Sequence, residues 1–315
     1  MDIINEFIQG RTMYAYEELG SHLENGGVRY TTYAPHAKNV RLICNGDRYQ
    51  MNRDERGVWS VFLHSSGEGD IYKYAIEGPD GEVNDRADPF AFYSEVRPKN
   101  ASIVYDIDKF EWRDEGWMSS RTKNYERPLN IYEVQFGSWR IKEGKEEDDR
   151  FYSYDEMCDL LIPYVKEMGY THIELMPMTE YPFDGSWGYQ VSGYFSATSR
   201  YGSPDGLMRF IDKCHRSGVG IILDFVPVHF VRDFFALHIY DGGFLFESDY
   251  ENERYSEWNT ALFDYSKPHV LSFVKSAVNF WCEKYHVDGL RYDAVACLLY
   301  RWGKKENALN DSGIR

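Results

Sequence analysis

Two short stretches carry the side chains best suited to chemistry. In IILDFVPVHF (residues 221–230) a single carboxylate, Asp224, stands in a run of apolar and aromatic residues, and His229 follows five positions later. A lone Asp in such a run is costly to bury unless it is paired or coordinated. It either caps the strand end by accepting from loop amides or faces a reactive site. In GLRYDAVA (289–296) Arg291 and Asp293 lie two apart, so on a strand both side chains leave the same face. A guanidinium beside a carboxylate keeps it ionised and aims it, as a carboxylate nucleophile requires; an ordinary internal ion pair uses the same two residues. A third stretch, residues 176–206, is a long segment dense in Gly, Tyr and Trp. Loops of that length are functional or disordered, and the aromatic content argues against disorder. Within it Tyr189 either offers its ring to a ligand or packs the loop. The chain has no Gly-rich phosphate loop, no GxSxG elbow and no metal-ligand spacing. What remains is carboxylate chemistry.

These residues need a scaffold, and the chain changes grammar partway to provide one. After an N-terminal extension (1–26), residues 27–106 read as strand after strand (VRYTTYAP, VRLICNG, VWSVFL, IYKYAIE, ASIVYD) with turn-rich pieces such as GPDGE between them. That pattern predicts a β-sandwich. Residues 107–128 form a connector with bulky anchors at Phe110, Trp112 and Trp117, unlike a Gly/Ser linker, so the modules should not swing freely. From 129 to 315 strand and helix alternate. LNIYEVQF, THIELMP, VGIILDFVP and VDGLRYDAV are the strands. Met157, Leu160, Leu161, Tyr164, Val165 and Met168, then Leu207, Phe210, Ile211 and Cys214, recur at helical spacing, and a third helix spans about 267–285. Four such repeats with buried parallel strands suit a doubly wound sheet or part of a barrel, and the pattern leaves both open. In either, chemistry sits at the C-terminal strand ends, where Asp224 and Asp293 fall.

Composition narrows the ligand. The formal charge of −16, from 51 acidic against 35 basic residues, opposes nucleic acid. Aromatic residues make up 17% of the chain; most should fill cores, and the remainder can stack on the apolar faces of sugars, an uncharged ligand class. Five scattered cysteines, odd in number, read as reduced core thiols without metal or cofactor. The N-terminus has no secretory pattern and no stretch reaches membrane-spanning length, so the expectation is a cytoplasmic protein without membrane contact.

Longer strings then resemble one family. NIYEVQFGSWR, PFDGSWGYQVSGYFSATSRYGSPDG, ILDFVPVHF and VDGLRYDAVACLLY resemble successive segments of glycogen branching enzymes in glycoside hydrolase family 13, the α-amylase family. GVRYTTYAPHAKNVRLI, GEGDIYKYAIEGPDGE and ADPFAFYSEVRPKNASIVYD resemble the family 48 carbohydrate-binding module that precedes their barrel. The resemblance implies an α/β chain: a β-sandwich, then the first half, about four βα units, of a (β/α)8 TIM barrel. It implies Asp293 as nucleophile, Arg291 as its orienting arginine, Asp224 and His229 as the pair that grips the reacting sugar, and Tyr189 as the ring stacked against it. The implied reaction cuts an α-1,4-glucan through a covalent glycosyl-enzyme and passes the segment to a 6-hydroxyl, making an α-1,6 branch, with no cofactor. Tyr292 and Cys297 stand where the family usually has Val and Ser. The chain ends at Arg315, before the general-acid Glu that the resemblance places on a fifth strand, so the expectation is a fragment, inactive alone. Other expectations kept open are a noncatalytic glucan-binding protein and an amylase-family debranching or trehalose-releasing hydrolase.

Overall fold

The computed structural model describes residues 2–122, 126–144 and 150–299. Period-two burial builds the N-terminal module. One antiparallel sheet runs Gly20–Glu24, Gly27–Tyr33, Val58–Leu63, Asn52–Arg53. The other runs Asp47–Gln50, Asn39–Cys44, Ile71–Glu77, Ser102–Ile103, Tyr93–Ser94, with Val83–Arg86 also paired to Ile71–Glu77. Val40, Leu42 and Cys44 are buried opposite Ile76, Tyr74 and Tyr72, the alternation expected of a sheet with one core face. Asn45 and Gly46 both take positive φ, 50° and 93°, as a two-residue type I′ hairpin turn requires. The strand Gly20–Glu24 lies ahead of residue 27. Its Ser, His and Glu lack strand-like apolar alternation, and it is held by pairing with Gly27–Tyr33.

Aromatic packing joins this module to the rest. Phe90 stacks on Phe195 at 4.9 Å, Phe92 on Phe280 at 5.4 Å, and Tyr16 meets Phe280 edge-on at 5.3 Å. Each such pair adds about 0.5–1.5 kcal/mol beyond its buried area. The helix Ile3–Ile8 packs on the helix Pro268–Lys284, and buried Arg86 donates to the carbonyls of Phe234, His238 and Ile239. The connector is docked as well. His215 presents Nδ1 to Asp114 at 2.7 Å and Nε2 to Asp288 at 3.0 Å, and Trp117 stacks on its ring while donating to Asp288.

Beyond the connector, Ile131–Val134, His172–Leu175, Gly220–Phe225 and Gly289–Tyr292 form a parallel sheet in chain order, each beside its predecessor. A doubly wound sheet reverses its strand order partway. These four strands do not, and their succession is that of the first half of a (β/α)8 barrel. The crossover helices are Tyr154–Glu167, Pro204–Arg216 and Pro268–Lys284. The first opens on a capping box, with Ser153 and Glu156 bonding each other's backbone amides. Val134, Ile173, Leu175, Ile221, Leu223 and Phe225 bury the helix-facing side of the sheet. Burial on both faces, expected from the apolar runs, is nearly met by Gly220–Phe225, whereas Gly289–Tyr292 is exposed at Arg291 and Tyr292. Cys44, Cys158, Cys214 and Cys282 are free; Cys44, Cys158 and Cys214 are buried, Cys282 and Cys297 half-buried. Among the described residues no helix is long and apolar enough to cross a membrane.

Candidate active site

The parallel register sets Asp224 directly beside Arg291 on the neighbouring strand, so both side chains leave the same face at one level, with Asp293 one pleat further toward the strand's C-terminal end. Arg291 Nη1 donates to both oxygens of Asp224 at 3.0 Å and to Asp293 Oδ1 at 2.7 Å. The Tyr189 hydroxyl donates to Asp224 Oδ2 at 2.6 Å. One guanidinium thus ties two carboxylates together.

Burial decides the electrostatics. Asp224 is only 1% exposed, and loss of water pushes its carboxyl up to about 6; the bonds from Tyr189 and Arg291 oppose that rise and the charge of Asp293 adds to it. Burial also works against the Arg291 cation, but its two carboxylates outweigh that effect and hold it above the ordinary arginine value. The Tyr189 hydroxyl is raised by burial and by its bond to Asp224, so it stays a donor. His229 is lowered by burial, with the charge of Asp293 pulling the other way. Its Nδ1 is buried without a hydrogen-bond partner among the described residues, an unmet polar group.

A cavity of about 310 Å³ opens here, lined by Ser186, Tyr189, Gln190, His229, Trp258, Thr260 and Asp293. That is the lower range for a small-ligand site. All five residues singled out from the sequence meet at this place. Trp258 and Thr260 were not among them. Their segment shows no periodicity, and it reaches the site because the two-residue strand Ala261–Leu262 pairs with His229–Phe230. Ser186 and Gln190 flank Tyr189 in the long loop and were open to the same argument.

The loop that carries Tyr189 is anchored at its base. Arg200 donates to Glu180 at 2.8 Å and to Asp184 at 2.8 Å while stacking on the Tyr181 ring at 3.7 Å, and Arg97 reaches Asp184 from the sandwich side. Gly188 has φ +98°, and a Cβ there would stand 2.6 Å from the Pro177 carbonyl oxygen, so a side chain is excluded immediately before Tyr189. Among the described residues no group of three or more His, Cys, Asp or Glu side chains is arranged to hold a metal ion.

Residues 18–91 match the carbohydrate-binding module 48 family (isoamylase N-terminal domain), and residues 159–258 match the alpha amylase catalytic domain. The chain is 48% identical over 309 residues to the 1,4-alpha-glucan branching enzyme GlgB of Bacillus caldolyticus, covering 93% of this chain and 46% of that protein. It is 44% identical over 323 residues to GlgB of Bacillus subtilis (strain 168), covering 98% and 51%. The chain therefore spans about half the length of the curated relatives it matches. Among solved structures, apo pullulanase from Paenibacillus barengoltzii superposes with a TM-score of 0.75 at 19% identity, covering 96% of this chain and 52% of that one; the likeness is one of fold.

Proposed function

From its 48% and 44% identity to 1,4-alpha-glucan branching enzymes over nearly its whole length, we propose that this chain belongs to that family and that its hollow is the centre at which a glucan chain is cut and its segment transferred to a 6-hydroxyl. Asp293 is the nucleophile that attacks the anomeric carbon. Arg291 aims that carboxylate, its Nη1 donating a charge-assisted hydrogen bond to Oδ1 at 2.7 Å. Asp224, braced by Arg291 and Tyr189, grips hydroxyls of the reacting sugar together with His229, while the Tyr189 ring lies against its apolar face. A glycosyl-enzyme forms through an oxocarbenium-like state, and a chain's 6-hydroxyl replaces water in resolving it. Glycogen- or amylose-like α-1,4 chains as substrate and the cytoplasm as compartment belong to the same proposal; the free Cys44, Cys158, Cys214 and Cys282 suit a reducing compartment.

The observation that carries this reading is the Arg291 Nη1 atom shared between Asp224 and Asp293. The retaining route also needs an acid about 5–5.5 Å from the nucleophile. Among the described residues lining the cavity Asp293 is the one carboxylate, which favours, as a second reading, glucan binding without turnover. A substrate that needs no acid tests the nucleophile directly: α-maltotriosyl fluoride loses fluoride without protonation. The expected result is a maltotriosyl mass increment on the peptide containing Asp293, absent in Asp293→Asn; a label elsewhere, or equal labelling of the variant, rejects the assignment. Incubation with amylose and an assay for new α-1,6 links then separates transfer from binding alone.

A further inference from the structure

We propose that Trp258 is a second sugar-stacking platform of this hollow, holding a glucan unit against the wall formed by His229; the inference rests on the glucan reading above. The indole is 50% exposed although it lines the same cavity as Tyr189 and Asp293, and its ring centroid is 5.4 Å from that of His229. A large aromatic left half in water forfeits much of the gain of burial, so its position needs another source.

That position is built. The Ser256 hydroxyl accepts from the amides of Trp258 and Thr260 and meets the Thr260 hydroxyl at 2.6 Å. Asn259 takes φ +60°, an uncommon conformation for a residue with a side chain, and Arg232 donates to its side-chain oxygen. The turn is thereby closed on both sides of the indole, which is presented over the cavity with its own N–H bonded to no described residue. A flat apolar face with a spare donor at its edge matches a pyranose, which offers C–H groups on its face and hydroxyls around its rim. Tyr189, by contrast, has its hydroxyl committed to Asp224. The two rings therefore divide the work: Tyr189 is fixed against the reacting position, and Trp258 serves a further unit of the chain.

Maltoheptaose binding, followed by calorimetry and tryptophan fluorescence, tests the proposal on the whole chain. Trp258→Ala should raise Kd about tenfold, about 1.4 kcal/mol, while Trp258→Phe, which keeps a flat ring, should recover most of the affinity and lose most of the sugar-dependent fluorescence change. Unaltered affinity in Trp258→Ala, with Tyr189→Ala weakened, removes the platform and leaves the site reading standing. Absence of maltoheptaose binding by the unaltered chain, or indifference of binding to both substitutions, overturns the site reading and the platform with it. Urea midpoints of the variants within experimental error of the parent establish that lost affinity is not lost folding.

Discussion

Asp224→Asn is expected to stabilise the protein at neutral pH while weakening its site. The Asp224 carboxyl is 1% exposed and sits at about 6, against an ordinary value of 3.8. A gap of about two units corresponds to about 3 kcal/mol of preference for the neutral form in the folded state. The sign follows: a carboxyl raised on folding contributes stability below its unfolded value, and that contribution is lost as pH rises through about 6. At pH 7.5 the ion is therefore held at a net penalty in spite of Tyr189 and Arg291. Asparagine has nearly the same shape without charge. Its amide accepts through one oxygen, whereas both Asp224 oxygens take the Arg291 proton donor, so one bond is lost and the net gain falls to about 1–2 kcal/mol. Urea unfolding of parent and variant at pH 4 and pH 7.5 measures it. The variant should lead at pH 7.5 and the lead should vanish at pH 4. A variant equal to or weaker than the parent at pH 7.5, or a difference independent of pH, would refute the claim that burial dominates at this carboxylate. Confirmation would mark Asp224 as a residue kept for function at the expense of stability.

Tyr189→Phe removes the 2.6 Å bond to Asp224, so ionising Asp224 becomes harder; glycosylation by maltotriosyl fluoride should slow by about 10- to 100-fold, with the acidic limb of its pH profile displaced to higher pH. His215→Ala removes one partner from buried Asp114, which keeps His286, and one from Asp288, which keeps Trp117 and the Ile221 amide, and should cost about 2–3 kcal/mol in urea unfolding. Burial raises both carboxyls, but bonds from His215 and His286 at Asp114, and from His215, Ile221 N and Trp117 at Asp288, hold them below the ordinary value. Their stabilisation is therefore present at neutral pH and should disappear as pH falls through the carboxylate range, seen as earlier acid unfolding of the parent's connector than of its sandwich by hydrogen exchange. Gly188→Ala must accommodate both φ +98° and a 2.6 Å approach to the Pro177 carbonyl; a loss of about 2 kcal/mol or more, with weakened maltoheptaose binding, is the expected outcome.

The physical content of the sequence was local. Alternation in VRYTTY and VRLIC and the helical spacing of Met157, Leu161 and Val165 identified the faces that turn inward, while Met168 at the end of that pattern is exposed, and the lone Asp224 with the Arg291/Asp293 pair stood out because charge inside an apolar strand demands a partner. Which partner was decided only by the parallel register, since Asp224 and Arg291 are far apart in the chain and meet through Gly220–Phe225 lying beside Gly289–Tyr292. The choice between a doubly wound sheet and a barrel likewise depended on strand order, a long-range property that periodicity does not encode. Gly20–Glu24 escaped sequence reasoning because its pairing, not its composition, makes it a strand, and Trp258 because nothing in an aperiodic segment signals that a two-residue ladder will bring it over His229. Side-chain type thus determined what chemistry was available, while backbone pairing between distant segments determined which of those groups share one hollow.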